Sequence, residues 1–199
     1  MKNILFIGNS YTYYSDMPEK IFLPMAETAG FDCAVTSVTV GGCELSRFAD
    51  GNDAPGQKLR AAIAGQHYDM VVLQEQGLRP ATEPALFDES VAALLALLRP
   101  QAERFMLYAT CGRKDGHEDL VELGITGAEL IEGLAKSYDA VGEKYGLPVA
   151  HSGRAFLAHM AEHPEDELYN ADLLHPSPLG STIAAKAILD VMMQVYGQN

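Results

Sequence analysis

Several features that define common protein classes are missing from this chain of 199 residues. Its 14 Lys and Arg residues are outnumbered by 27 Asp and Glu residues, giving a formal net charge of −13, and the basic residues form no cluster. Nucleic acids and anionic membranes are bound mainly through such clusters, so we expect neither as a partner. A run of roughly 18 apolar residues, as a membrane-spanning helix requires, is also missing.

Cysteine is scarce as well. Cys33, Cys43 and Cys111 are odd in number and form no C-x-x-C pair, which argues against a disulfide framework and suits a reducing compartment. The apolar residues 4–7 near the start are too few for the hydrophobic part of a secretory signal, so we predict a cytoplasmic protein. Neither G-x-G-x-x-G nor a P-loop occurs, so the usual phosphate-binding loops of nucleotide sites are missing.

Short apolar runs alternate with longer amphipathic stretches. The runs predict strands at residues 4–7, 35–40, 70–73, 105–109 and 147–150, and the stretches predict helices at 17–29, 58–64, 84–98, 127–144 and 178–196. Ser177 and Pro178 suit the N-cap and first position of the last helix. The pattern predicts a single α/β domain over residues 1–199, a three-layer α/β/α sandwich with a five-stranded, mostly parallel, flavodoxin-like sheet.

Glycines and polar residues follow the first three predicted strands, where parallel sheets bind their ligands. Ser10, after the first strand, can act as a nucleophile if a histidine takes its proton; otherwise it only caps the next segment. Gly41-Gly42, after the second, lets a backbone amide approach a ligand or simply forms a tight turn. Gln74 and Gln76, after the third, share one side if the strand geometry persists, and their amides can donate to an oxyanion.

An Asp-x-x-His pattern precedes the last helix. In a helical turn, Asp172 and His175 would lie on one face, close enough for the carboxylate to orient the imidazole. With so many acidic residues such a pair could arise by chance. Its position between the predicted sheet and the final helix, next to Pro176 and the capping Ser177, favours a functional role.

These positions, in this order, resemble the SGNH hydrolase superfamily, also called the GDSL-like lipases and esterases, over residues 3–196. Its four marker blocks supply a serine, a glycine, an asparagine and an Asp-x-x-His. Gly8-Asn9-Ser10 resembles the first block, with Asn9 where many members carry Asp, and Gly42 the second. The third block departs from the pattern, because Leu73-Gln74-Glu75-Gln76 replaces Gly-x-Asn-Asp. The chain is most similar to a branch with Gly-Asn-Ser-x-Thr and Leu-Gln-Glu-Gln.

The resemblance implies a serine esterase that needs no metal or organic cofactor. Ser10 would attack the carbonyl of a small-molecule ester, His175 would take its proton and Asp172 would orient His175. The oxyanion hole would consist of the Ser10 and Gly42 amides and a glutamine side chain, with Gln76 preferred over Gln74. Four flanking residues are predicted to contact the substrate: Asn9, Tyr11, Gly41 and Cys43.

A short acyl group, such as acetyl, on a carbohydrate is the favoured substrate, because some carbohydrate-active relatives carry a glutamine in the third block. Tyr11, Tyr13 and Tyr14 could stack on a sugar or simply fill the core or the surface. Residues 111–123, polar and with two glycines, form either a flap over the site or an ordinary loop.

Three alternatives remain open. His159, Glu162 and His163 match the H-x-x-E-H pattern of a zinc hydrolase, although a solvated helix face also explains them. A Cys–His hydrolase could use Cys43 or Cys111, although free cysteines are commonly small core residues. A non-catalytic flavodoxin-like module that binds a small ligand would have the same fold.

Overall fold

A five-stranded sheet forms the centre of the protein in the computed structural model, which describes residues 1–197. The strands, in the spatial order β2-β1-β3-β4-β5, are β1 (Lys2–Gly8), β2 (Cys33–Thr39), β3 (Tyr68–Leu73), β4 (Ala102–Ala109) and β5 (Val149–His151). Each neighbouring pair is parallel. The predicted α/β class and flavodoxin-like sheet are confirmed.

Helices fill the connections and both faces of the sheet. They are α1 (Ser10–Tyr13), α2 (Leu23–Thr28), α3 (Leu45–Ala49), α4 (Ala54–Ile63), α5 (Arg79–Thr82), α6 (Pro84–Leu98), α7 (Glu118–Leu123), α8 (Gly127–Tyr145), α9 (Ser152–Glu162) and α10 (Pro178–Gly197). Within residues 1–197, no helix is long and apolar enough to cross a bilayer.

Alternating side chains of the strands supply two separate cores. On β1, Leu5 and Ile7 pack with residues of α3, α4, α6 and α8, whereas Ile4 and Phe6 pack with residues of α2 and α10. All four side chains are fully buried. This burial on both faces explains why β1 is a continuous apolar run, and it gives the three-layer α/β/α arrangement.

Several predicted boundaries differ from the structure. The helix predicted at 17–29 begins with a π-helical turn, Met17–Phe22, and that predicted at 58–64 begins four residues earlier, at Ala54. The strand predicted at 147–150 lies at Val149–His151. Helix α9 was not predicted, because it follows β5 without any intervening turn residue that would mark its start.

The ends of β1 and β3 form the edge that matters for function. Strand β1 has β2 on one side and β3 on the other, and Ile7 pairs with Leu73 in the last register position of β1 and β3. Because the connection after β1 runs to β2 on one side and the connection after β3 runs to β4 on the other, a crevice opens beyond this edge. The segments after Gly8 and Leu73 are therefore brought together.

Candidate active site

The hydroxyl that follows β1 meets the imidazole that precedes α10. Oγ of Ser10 lies 2.8 Å from Nε2 of His175, although the two residues are 165 positions apart. Asn9 caps α1 by accepting the Tyr11 amide, so Ser10 is the first residue of a short helix at the edge of the sheet. Its side chain is not deeply enclosed, since Ser10 lies at the limit of the buried class with 9% exposure.

The third member of this chain of contacts is Asp172. Its Oδ2 lies 2.7 Å from Nδ1 of His175, and its Oδ1 accepts the backbone amides of Leu174 and His175, both at 3.0 Å. The expected helical turn is not present: Leu173 has a left-handed φ of 58°, and the segment is a turn closed by a bridge between Tyr169 and Pro176. This turn brings Asp172 close to His175. A helix does not form here because Pro176 disfavours a helical conformation at His175.

The proton positions follow from the donor types. An ionised carboxylate can only accept, so Nδ1 of His175 carries the proton toward Asp172 and Nε2 is left to accept from Ser10. Partial burial raises the pKa of Asp172, but hydrogen bonds from the side chain and amide of His175 and the amide of Leu174 outweigh it, so the net pKa lies below its ordinary value. The arrangement can therefore activate a serine hydroxyl.

The two glutamines after β3 occupy different environments. Gln74 is fully buried: its Oε1 accepts the Asn9 amide and the Thr12 hydroxyl, each at 2.8 Å, and its Nε2 donates to Asn9 Oδ1 and to the carbonyl of Glu75. With all its donors and acceptors engaged inside the protein, Gln74 is not available to an oxyanion. Gly8 permits this packing, since a Cβ there would lie 2.5 Å from Gln74 Oε1.

Gln76 is half-buried and keeps its amide nitrogen without an acceptor in the described part of the chain, while its Oε1 accepts the amides of Leu78 and Arg79. Within residues 1–197, the backbone amides of Ser10 and Gly42 likewise have no acceptor. Gly42 has a φ of +64°, which glycine adopts without strain. These three donors follow the first three strands of the sheet, and Gln76, unlike Gln74, has a side-chain amide without an acceptor in the described part of the chain.

The sequence motif predicts no role for Glu75, and the structure gives it one. The side chain is fully buried, and Oε1 accepts the amides of Leu45 at 3.0 Å and of Gln76 at 2.6 Å. It thus joins the loop after β2 to the loop after β3. Burial raises the pKa of Glu75 to about 7, and the bonds from Gln76 and Leu45 limit that rise. A charged residue directly after an apolar strand was the available signal.

Of the four residues predicted to contact substrate, three have buried side chains with internal partners. Asn9 donates to the carbonyl of Cys43 at 3.0 Å, and Tyr11 donates to the carbonyl of Gly112 at 2.8 Å. The positions of Asn9, Tyr11 and Cys43 therefore do not suit direct contact, whereas Gly41 is exposed. Asn9 and Tyr11 instead join the segment after β1 to the loops that contain Cys43 and Gly112.

Residues 111–123 pack against the site. Arg113 is buried, contacts the Tyr11 hydroxyl and pairs with Asp119 at 2.9 Å. The Lys114 amide donates to the carbonyl of Leu173, in the turn that carries His175, at 2.9 Å. The segment, which ends in α7, thus braces the histidine turn rather than forming a detached flap.

The cysteine alternative is not favoured by the environment of the thiols. Cys43 and Cys111 are buried, and burial raises the pKa of Cys43 to about 11 and that of Cys111 to about 12. Both are therefore thiols at neutral pH, and a thiol is a poor nucleophile compared with a thiolate.

The zinc alternative gains no support either. His159 is engaged by Asp166 at 2.7 Å, and α9 ends at Glu162. In the part of the chain that the structure describes, no three His, Cys, Asp or Glu side chains are grouped so as to hold a metal ion.

Comparisons with known proteins identify the family. Neither the family models nor the curated proteins give a match. A solved structure from Slackia heliotrinireducens, assigned as an SGNH hydrolase, has 31% identity and a TM-score of 0.82, covering 96% of this chain and 98% of its own. A lipase/acylhydrolase from Enterococcus faecalis shares the fold at 17% identity and a TM-score of 0.70, covering 100% and 97%. An acetyl xylan esterase from Geobacillus stearothermophilus shares it at 13% and 0.67, covering 96% and 94%. The expected resemblance is confirmed, and this chain belongs to the SGNH hydrolases.

Proposed function

We propose that the protein hydrolyses a carboxylic ester of a small molecule, with Ser10 as nucleophile, His175 as general base and Asp172 as the residue that orients the base. The observation that carries this proposal is the continuous line of contacts, 2.8 Å from Ser10 Oγ to His175 Nε2 and 2.7 Å from His175 Nδ1 to Asp172. This is the constellation that serine hydrolysis requires.

The chemistry follows in two halves. In the first, His175 takes the proton of Ser10 as its oxygen bonds to the ester carbonyl, and the resulting tetrahedral oxyanion is stabilised by the Ser10 and Gly42 amides and the Gln76 side chain. The intermediate collapses to an acyl-serine, and His175 gives the proton to the departing alcohol. In the second half, water loses a proton to His175 as it attacks the acyl-serine, and the second tetrahedral intermediate collapses to the acid while His175 returns that proton to Ser10 Oγ.

The finer proposal is a short acyl group, such as acetyl, carried by a carbohydrate. It is supported by the acetyl xylan esterases that share this fold and by the aromatic residues beside the nucleophile. Tyr13 is exposed, and its hydroxyl would lie 3.0 Å from a Cβ at Gly41, so its ring borders the proposed oxyanion loop. An exposed ring in that place can stack on a sugar. A cytoplasmic location stays a prediction from the sequence.

The test combines turnover with covalent labelling. We expect slow hydrolysis of p-nitrophenyl acetate, lower activity as acid protonates the base, and labelling of Ser10 by a fluorophosphonate located by mass spectrometry. Ser10→Ala should lower kcat by about 10⁴-fold or more and abolish labelling. Ser137→Ala, on helix α8, which contributes no residue to the site, is the control. A Ser10→Ala variant with unchanged turnover would refute the proposed role, and a panel of acetylated sugars and longer acyl esters then tests the finer proposal.

A further inference from the structure

The imidazole of His175 is covered by a tyrosine. The rings of Tyr14 and His175 are almost parallel, with centroids 4.0 Å apart and an interplanar angle of 6°. The ring of Tyr11 lies at 5.9 Å and is tilted by 43°, so it does not form a comparable stack. One face of the imidazole is therefore occupied by an aromatic ring at van der Waals distance.

The backbone around Tyr14 is held in an unusual conformation. Ser15 and Asp16, which follow it directly, both have left-handed φ values, 57° and 48°. Residues other than glycine adopt this conformation at an energetic cost, so surrounding contacts must hold Ser15 and Asp16 in it. Ser181, in the first turns of α10, supplies such contacts, with its hydroxyl 3.3 Å from Ser15 Oγ and 3.5 Å from the Tyr14 carbonyl. The helix that follows His175 thus also fixes the segment that carries Tyr14.

The carboxylate that orients the imidazole is itself exposed to water. The side chain of Asp172 is 42% exposed, whereas that of His175 is 15% exposed. Water screens an exposed ion pair, so this hydrogen bond restrains the ring less than the buried carboxylate of a typical triad. The ring stacked on the imidazole adds a second restraint against its rotation out of line with Ser10.

The stacked ring of Tyr14 also affects the energy of a positive charge on the imidazole of His175. When Ser10 gives up its proton, the imidazole becomes a cation, and the electron-rich face of a tyrosine attracts a cation placed over it. Neutral imidazole is attracted less, so the contact strengthens as the transition state forms.

We propose that Tyr14 is a positioning residue, which holds His175 in line with Ser10 and stabilises the imidazolium by stacking. This inference rests on the proposed function, because it assumes that His175 is the base. It predicts an effect on kcat, with little effect on KM, since Tyr14 acts through the histidine.

The experiment compares Tyr14→Leu, which removes the ring, with Tyr14→Phe, which keeps it. With p-nitrophenyl acetate, Tyr14→Leu should lower kcat about tenfold and change KM less than about twofold, because a cation–π contact of this kind is worth about 1–2 kcal/mol. Tyr14→Phe should retain most of kcat. Equal kcat for Tyr14→Leu and the wild type would overturn the proposal, as would equal losses in both variants. Thermal midpoints show whether each variant is folded.

A second measurement does not depend on activity. The ring current of Tyr14 should move the imidazole C–H signals of His175 upfield in the proton NMR spectrum, with these signals identified by their absence in His175→Ala. The displacement should persist in Tyr14→Phe and disappear in Tyr14→Leu. Unchanged signals in Tyr14→Leu would show that the stack does not exist in solution. If the displacement is present but Ser10→Ala retains turnover, the proposed function fails while the stack itself stands.

Discussion

Two groups of polar residues lie beyond the same edge of the sheet, and they differ in solvent exposure and in their hydrogen-bond partners. Ser10, His175 and Asp172 form a line of contacts that reaches solvent, ending in a carboxylate that is 42% exposed. Asn9, Gln74 and Glu75 lie beside them, at most 1% exposed and bonded to one another or to loop amides. The first group can meet a ligand, whereas the second holds the loops that present it.

Because of this difference in exposure, we expect substitutions in the first group to lower activity and substitutions in the second group to lower stability. Losing a hydrogen bond in the exposed group costs little folding energy because water replaces the partner, but it removes a step of the proposed chemistry. Losing one in the buried group leaves donors and acceptors without water, and the free energy of unfolding falls. Substitutions in the exposed group, compared with substitutions in the buried group, test this difference.

After Ser10→Ala, the largest expected effect is that of Asp172→Asn on kcat. The Asn Oδ1 can still accept the amides of Leu174 and His175, so the turn is kept, but its NH₂ group cannot accept from Nδ1 of His175. The imidazole then carries its proton on Nε2, facing Ser10, and kcat with p-nitrophenyl acetate should fall about 10³-fold, less than the ~10⁴-fold of a buried triad aspartate.

The matched control for this change is Asp166→Asn. Asp166 also engages a histidine, His159, at 2.7 Å, but within residues 1–197 neither residue has a hydrogen bond to Ser10, Asp172 or His175. Its kcat should equal that of the wild type. Comparable losses in both variants would mean that Asp172 has no special relation to the reaction.

Next in size is the contrast between Gln74→Ala and Gln76→Ala. Removing Gln74 leaves the Asn9 amide and the Thr12 hydroxyl without their acceptor inside the protein, so the free energy of unfolding should fall by about 3–4 kcal/mol in urea titrations. Removing Gln76 should cost about 1 kcal/mol of stability but lower kcat about 10²–10³-fold, as expected for one oxyanion donor. The reverse outcome would exchange the roles assigned to the two glutamines.

The smallest expected effect concerns Glu75 and pH. Its pKa in the folded protein is about 7, above the ordinary 4.5, so the folded state binds this proton more tightly than the unfolded chain does. Stability from this group is therefore complete below pH 4.5 and is lost as the pH rises to about 7, by at most about 3 kcal/mol. Denaturant titrations of wild type and Glu75→Gln across this range should diverge by that amount, with the variant gaining relative stability. Parallel curves would show that Glu75 titrates normally.

The fold could be predicted from the sequence because its strands are buried on both faces. Residues 4–7 and 70–73 lie inside the observed β1 and β3, and α6 has the predicted bounds because a proline begins it. The short helices were harder to find. Leu45–Ala49 and Ser152–Glu162 have too little length or too few boundary residues to give a periodic signal.

The site could be predicted in part. The motif order places Ser10, Gly42, Asp172 and His175 at loop positions near the carboxyl edge, but it does not show which neighbours face solvent. Strand alternation would put Gln74 and Gln76 on one side, yet β3 ends at Leu73 and the alternation ends with it. The stack of Tyr14 on His175 involves a segment with two left-handed residues, Ser15 and Asp16, a conformation that non-glycine residues adopt too rarely to be expected from the sequence.

The separation of Ser10 from His175 by 165 positions has a consequence for the protein as it is synthesised. The hydroxyl emerges from the ribosome early and is then an ordinary alcohol, because the imidazole that would activate it in the proposed mechanism is translated much later. A chain that ends before His175 would therefore lack the proposed base.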